Sequence, residues 1–407
     1  MRRILFFIIF ISLTADAFAV AVAGKTLTYW SETMEFGTPA QKLDVLKQIR
    51  RTDNKAVLAI LIKALSEEID EKVRKEIIQI LYEKKEPRAL NPLLKNLKTA
   101  TNPQLIATTL AAIGQLKDKR AVNSITNFLN HENTEVIQAA IRALGKIEAP
   151  SVGPRLLTML TNSKTDKELV YPLLNTLGGI RYKPAFAAIR KIAINSTRPQ
   201  FMRAFAITAL GRLGDMRALD DLLNLLKQEK FVRLRIRVIG ALGAMKSPRA
   251  IEVLRIAMRD RDSSVRSAAV KAAGKLKSKK LVPVLMYKLK YDTAPEVMVS
   301  AAEALYELGE QGILPTVLKK FEASTSVPVL DRLLKLFDKA DYRKAAATMR
   351  KKQQEHKIKR SSIKYTIEAI LKKWGKAGKT EEPSKKSTRT RSKKKKTVKK
   401  KGRIYLR

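Results

Sequence analysis

The sequence predicts an all-α solenoid, about ten two-helix units stacked along residues 25–350 of a 407-residue chain. Three observations predict it. One residue recurs at the end of a helical stretch: Gly114, Gly145, Gly178, Gly211, Gly243 and Gly274 in the middle, with Arg50, Tyr82, Tyr306 and Phe337 in the same place toward the ends. The steps along this series are 32, 32, 31, 33, 33, 32, 31, 32 and 31 residues, and a near-constant step of this size marks a repeat array. The apolar positions follow one helical face: Leu90, Leu93, Leu94 and Leu97 stand 8, 11, 12 and 15 residues after Tyr82, an i, i+3, i+4, i+7 pattern. Prolines fall between the two helices, at Pro87, Pro150, Pro184 and Pro248, where the missing N–H costs little. One hairpin cannot cover its own apolar face, so such units stack into a shared core.

Taken in order, residues 1–24 read as a signal peptide. Arg2 and Arg3 precede an apolar run from Ile4 to Leu13, and small residues around Ala19 or Ala23 offer a cleavage site. The apolar run is short for a membrane span; an uncleaved anchor is the alternative. Export to the periplasm or cell envelope is the expectation. The chain has no cysteine, which excludes disulfides, thiolate metal sites and a cysteine nucleophile. Residues 25–36 lead in, with Trp30 expected to cover the open end of the first hairpin or to serve as a contact residue. Within the array a large apolar residue precedes nine of the ten anchors, and alanine stands two before six of them (Ala112, Ala143, Ala209, Ala241, Ala272, Ala304), which predicts close helix approach. No Gly/Ser-rich linker interrupts residues 37–350, so one elongated domain is expected. The second helices are expected to line the concave face and to bind a partner chain.

The string Val265, Arg266, Ala269, Ala272, Gly274, Leu276 resembles short HEAT repeats of the kind also found in phycobilisome lyases. The resemblance spans about ten units and implies a right-handed α-α superhelix. It carries architecture rather than activity: such arrays are mostly binding scaffolds, although bilin lyases and a DNA alkylpurine glycosylase are enzymes on related folds. The units ending at Arg50 and Phe337 depart most from the pattern, as terminal repeats do.

The net charge is +44, of which residues 25–340 hold +22. A field of this sign favours anionic partners without naming one. Eight residues before the anchor the side chain is basic in five units, at Lys42, Arg74, Arg203, Arg235 and Arg266. These cations either pair with nearby acids, Arg266 with Asp262 for example, or form a basic ridge for an anionic partner. Arg233 and Arg237 strengthen the second reading around Arg235. After the array, residues 351–380 contain a helix with Ile363, Ile367, Ile370, Leu371 and Trp374 on one face. It either caps the last repeat or lies on an anionic membrane or a partner. Residues 381–407 include thirteen basic residues and no acid from Lys385 onward, among them Lys393, Lys394, Lys395, Lys396, Lys399, Lys400 and Lys401. This composition predicts a disordered tail that binds an anionic envelope surface.

Residues suited to catalysis or metal binding are sparse. The two histidines, His131 and His356, are far apart, and no P-loop, dinucleotide fingerprint, zincin motif or nucleophile elbow occurs. No cofactor or metal is expected. Asp118, Asp215 and Asp262 fall in turns, where capping accounts for them. Tyr82, Phe128, Tyr171 and Phe205 read as scattered core aromatics rather than as a site. The expected function is a non-catalytic exported scaffold or adaptor: a protein partner on the solenoid, an anionic envelope component (lipid headgroup or cell-wall polymer) on the tail. Nucleic-acid binding is the alternative if the chain is not exported. A lyase- or glycosylase-like enzyme is a remote third reading, resting on fold analogy alone.

Overall fold

The computed structural model describes residues 26–52, 54–245, 248–355 and 362–377. The expected signal peptide, His356 and the basic tail lie outside these residues. The described residues are helical throughout, with connections of a few residues and no strand among them.

They fall into two compact units that part after Gln311. In the first, a helix at residues 26–36 (α1) precedes eight hairpins. Their first helices are α2 (Pro39–Arg51), α4 (Glu71–Lys84), α6 (Pro103–Leu116), α8 (Thr134–Ile147), α10 (Lys167–Gly179), α12 (Gln200–Leu213), α14 (Val232–Met245) and α16 (Ser263–Leu276). The second helices are α3 (Ala56–Glu67), α5 (Leu90–Thr99), α7 (Val122–Thr126), α9 (Gly153–Thr161), α11 (Phe186–Ile194), α13 (Leu219–Gln228), α15 (Pro248–Ala257) and α17 (Val282–Tyr291). Helix α18 (Pro295–Glu307) follows as one more first helix.

Most units share one local chemistry, although α12 starts after Pro199 with no side-chain cap and α2 ends on an extended Thr52. The first helix starts on a side-chain cap: Asp70, Asn102, Asn133 and Asp262 each accept the next turn's N–H groups, satisfying donors that have no helical partner. It ends on a residue in the left-handed region, at Lys85, Lys117, Glu148, Arg181, Gly214 and Lys277. A short 3₁₀ turn then leads into the second helix, beginning at Pro87 and Pro150 in two of the units. Asp118 and Asp215 accept the N–H of Arg120 and Arg217 in that turn.

The core runs along the stack. Ile49, Leu81, Ile113, Leu144, Leu177, Leu210 and Leu242, each just before an anchor, are fully buried. The glycine anchors have a packing reason rather than a flexibility reason. A Cβ on Gly114 would stand 2.7 Å from the Cα of Ala143, and one on Gly178 would stand 2.9 Å from the Cα of Ala209. Except for Gly145, which meets the Thr176 side chain, each glycine anchor meets the alanine two before the next anchor, and the first helices approach closely there. Trp30 is buried and donates Nε1–H to Gln48 Oε1 at 3.3 Å, covering the hairpin that opens the stack.

The second unit holds α19 (Leu314–Ala323), α20 (Val327–Lys339), α21 (Ala346–Gln353) and α22 (Ile363–Ala377). Phe321 and Phe337 meet edge to face, centroids 5.6 Å apart, at its centre. Helix α22 packs on α20 and α21, and buries Ile363, Ile367, Ile370 and Trp374 while Leu371 is half-buried. Its reading as a membrane-lying or partner-binding helix is therefore corrected: the apolar face that would insert is already covered inside its own unit.

Candidate functional site

The basic position eight residues before the anchor resolves into an internal spine rather than a ridge. Arg203 donates to Glu229 Oε2 at 2.6 Å and to the Ala193 carbonyl at 3.2 Å. Arg235 forms two bonds to Asp260, both 3.0 Å, and reaches back to the carbonyls of Glu229 and Lys230 at 3.0 and 3.3 Å. Arg266 repeats the pattern on Asp292, at 3.0 and 2.9 Å, and on the Asp260 and Arg261 carbonyls. Each arginine ties the loop before its own repeat to the loop after it. Because Glu229 and Asp260 serve two arginines each, one through the side chain and one through the backbone, the spine is continuous from Ala193 to Asp292. Lys42 and Glu68 make the same tie at 2.8 Å near the start of the unit.

The side chains of Arg203, Arg235 and Arg266 are 5%, 4% and 13% exposed. As candidates for an anionic partner they are corrected: each is committed to a carboxylate 25 or 26 residues downstream, and none offers a free fork. Asp262 does not pair with Arg266; it caps α16. Burial opposes ionisation of Asp292, but hydrogen bonds from Arg266, Lys288 and the Ala294 N–H outweigh it and hold the carboxyl below the usual carboxylate range. The Asp292 bond in turn raises the Arg266 guanidinium.

Arg233 and Arg237 behave differently. They are exposed, and among the described residues neither makes an ion pair or side-chain hydrogen bond. They share α14 with Arg235 but point off the opposite side, as residues two apart on a helix do. Lys271 and Lys275 on α16 are likewise exposed and unpaired, and Arg212 on α12 bonds the neutral Asn175. Helices α12, α14 and α16 contain no Asp or Glu, so nothing on them offsets these charges. The nearest acids on first helices are Glu168 on α10 and Glu296, Glu303 and Glu307 on α18.

Beside the cations lie Tyr171 and Phe205, which sequence reasoning assigned to the core, and Phe201, which it did not single out. Tyr171 is 46% exposed and packs on the half-buried Phe205, ring centroids 4.1 Å apart; Phe201 is 59% exposed. The missed signal was positional: all three sit in the anchor register that faces away from the second helices. In that register Phe201 corresponds to Arg233, and Phe205 to Arg237. Gly179 and Gly240 fall on the same face, and a Cβ on either would meet nothing within 4 Å, so these glycines leave the surface open rather than permit contact.

The second helices, expected to carry the binding face, hold a groove of about 620 Å³ on α11 and α13, lined by Phe186, Arg190, Ile194, Arg217 and Asp221 among others. Another groove, about 450 Å³, lies on the first helices α4, α6 and α8, lined by Ala107, Thr108, Ala111 and Ala139 among others. Across it the Lys146 ammonium sits 5.1 Å from the ring centroid of Tyr82, two repeats away. Side chains of alternate repeats meet here across the small Ala107, Thr108 and Ala111 of the intervening first helix. Among the described residues no group of three or more His, Asp or Glu is placed to hold a metal, and His131 accepts the Asn133 N–H at 3.0 Å.

Comparison with known proteins agrees with this architecture. No curated protein matches in sequence. Among solved structures, the CpcE–CpcF complex of phycocyanin lyase from Nostoc sp. PCC7120 is 18% identical, with a TM-score of 0.40, covering 62% of this chain and 93% of that one. Human deoxyhypusine hydroxylase is 18% identical over 63% of this chain and 96% of its own, with a TM-score of 0.28. The karyopherin Kap121p, bound to the extreme C-terminus of the phosphatase Cdc14p, is 12% identical over 88% of this chain and about half (51%) of its own, with a TM-score of 0.43. At TM-scores below 0.5 these three likenesses carry no argument about this chain. The family model for HEAT repeats matches residues 90–170, 186–266 and 253–350, more than half of the chain. On that match and the stack of hairpins it describes, the chain belongs to the HEAT-repeat family.

Proposed function

We propose that this protein is a non-catalytic scaffold, exported to the cell envelope, that binds a protein partner on the first-helix face of its solenoid. The observation that carries the reading is the division of its arginines. Those at the stacking position are sealed in ion pairs, while Arg233 and Arg237 stand exposed and unpaired beside surface aromatics. A fold that needs its cations only for stability leaves no reason for the second set. Residues 1–24 would direct export, and the basic stretch from Lys385 to Arg407 would hold the scaffold to an anionic envelope surface.

Fractionation of native cells, with mass spectrometry of the mature N-terminus, tests the export half. A start just after Ala19 or Ala23 in the envelope fraction supports it, and an intact Met1 in the cytosol overturns it. In vivo photocrosslinking from positions on the solenoid tests the scaffold half. A discrete protein adduct is the expected result; adducts to nucleic acid alone would overturn it.

A further inference from the structure

We infer that the face of α10, α12, α14 and α16 is a docking strip for an extended protein segment in which aromatic side chains adjoin a run of acids. The inference rests on the scaffold reading above and names the partner's chemistry.

Neighbouring helix axes in a stack lie about 8–10 Å apart. Four first helices therefore make a strip of roughly 25–30 Å, which an extended chain crosses in about eight or nine residues. The strip is divided along its length. The α10–α12 end offers Tyr171, Phe205 and Phe201, two of them about half exposed. The α14–α16 end offers Arg233, Arg237, Lys271 and Lys275, exposed and without partners among the described residues. Arg212, bonded to Asn175, joins the two halves. Gly179 and Gly240 remove side-chain bulk along the track, so a backbone can lie close.

Charge complementarity picks the occupant. Four unpaired cations on adjacent helices, with no carboxylate on α12, α14 or α16, repel one another unless anions sit among them. Glu168 stands at the α10 end of the strip and Glu296, Glu303 and Glu307 stand on α18 beyond its other end, so its positive side chains are bracketed within a peptide-sized length. A nucleic acid would engage cations along its whole backbone and would favour basic residues at both ends of the strip. Here one end is aromatic and carries Glu168. Tyr and Phe rings held in place contribute contact area at small cost in side-chain freedom, which suits an aromatic anchor preceding or following the acidic run.

The test uses the full-length mature protein and three labelled probes: a peptide with an aromatic pair joined to a run of Glu, the same peptide with Ser replacing the aromatics, and a single-stranded oligonucleotide of equal charge. The aromatic–acidic peptide is expected to bind most tightly. Replacing R233E and R237E together should weaken it roughly tenfold or more, and F201S with Y171S roughly threefold or more. The control K279E with K280E, in the connection to the second helix, should leave it within about twofold. Equal loss in the control, or tighter binding of the oligonucleotide with the same dependence on Arg233 and Arg237, would overturn the inference. Crosslinks of a protein partner from Ile256 on α15 but not from Gly240 would also overturn it, while leaving the scaffold reading intact. Unchanged circular dichroism of each variant separates lost binding from lost folding.

Discussion

Asp260→Ala isolates the contribution of the buried spine. The carboxylate accepts two bonds from Arg235, both 3.0 Å, and one from the Asp262 N–H at 2.9 Å. Its side chain is 12% exposed and that of Arg235 is 4% exposed. Removing one member of such a pair strands the other charge in a dry setting, a loss of about 3–5 kcal/mol. Arg235 would keep its bonds to the Glu229 and Lys230 carbonyls, which places the expected loss near the low end, ~3 kcal/mol. A stack of repeats does not unfold as one two-state unit, so the proper assay is native-state hydrogen exchange, read at the amides of α14 and α16. Opening there should become roughly a hundredfold more frequent, with α4 and α6 unaffected. Arg235→Met together with Asp260→Ala should cost less than the sum of the single changes, with a coupling of about 2 kcal/mol or more. A single-variant loss below ~1 kcal/mol, the range of exposed pairs, or an additive cycle would refute the argument that the arginine is sealed.

Two further outcomes follow from the same geometry. Gly114→Ala should destabilise by about 1–3 kcal/mol because its Cβ would stand 2.7 Å from the backbone of Ala143, whereas Gly240→Ala, with nothing within 4 Å, should stabilise by roughly 0.5–1 kcal/mol; thermal denaturation of the two variants gives the signs. Asp292 has a depressed folded pKa, so its contribution is fully present above the unfolded carboxylate value, about pH 4, and is lost as pH falls through the lower folded value. Hydrogen exchange at α16 and α17 should therefore accelerate on acidification below about pH 4, and Asp292→Asn should remove most of that dependence while lowering stability at neutral pH.

The architecture was legible in the sequence because it is written in local terms. The spacing of the anchors, the leucine face and the turn prolines each act within about one repeat, and the Ala–x–Gly pairing records the close approach of successive first helices directly. Even the acid-free run of α12, α14 and α16 stands in the sequence and needed only to be looked for at the repeat spacing. The fate of each arginine was not legible. Arg233, Arg235 and Arg237 lie within five residues of one another, and the alternation alone says that the middle one faces the other way without saying which way is inside. The deciding carboxylate, Asp260, is 25 residues downstream and reaches Arg235 only once the hairpin has closed and brought the next loop alongside. Burial then separates the two classes: a guanidinium shut away from water must be paired, and one left in water need not be. The same holds for Tyr171 and Phe205, whose exposure depends on which helix face the neighbouring repeats leave uncovered. The sequence by itself determined a HEAT-repeat stack with a strongly basic balance; only the tertiary structure decided which of its charges hold the stack together and which remain for a partner.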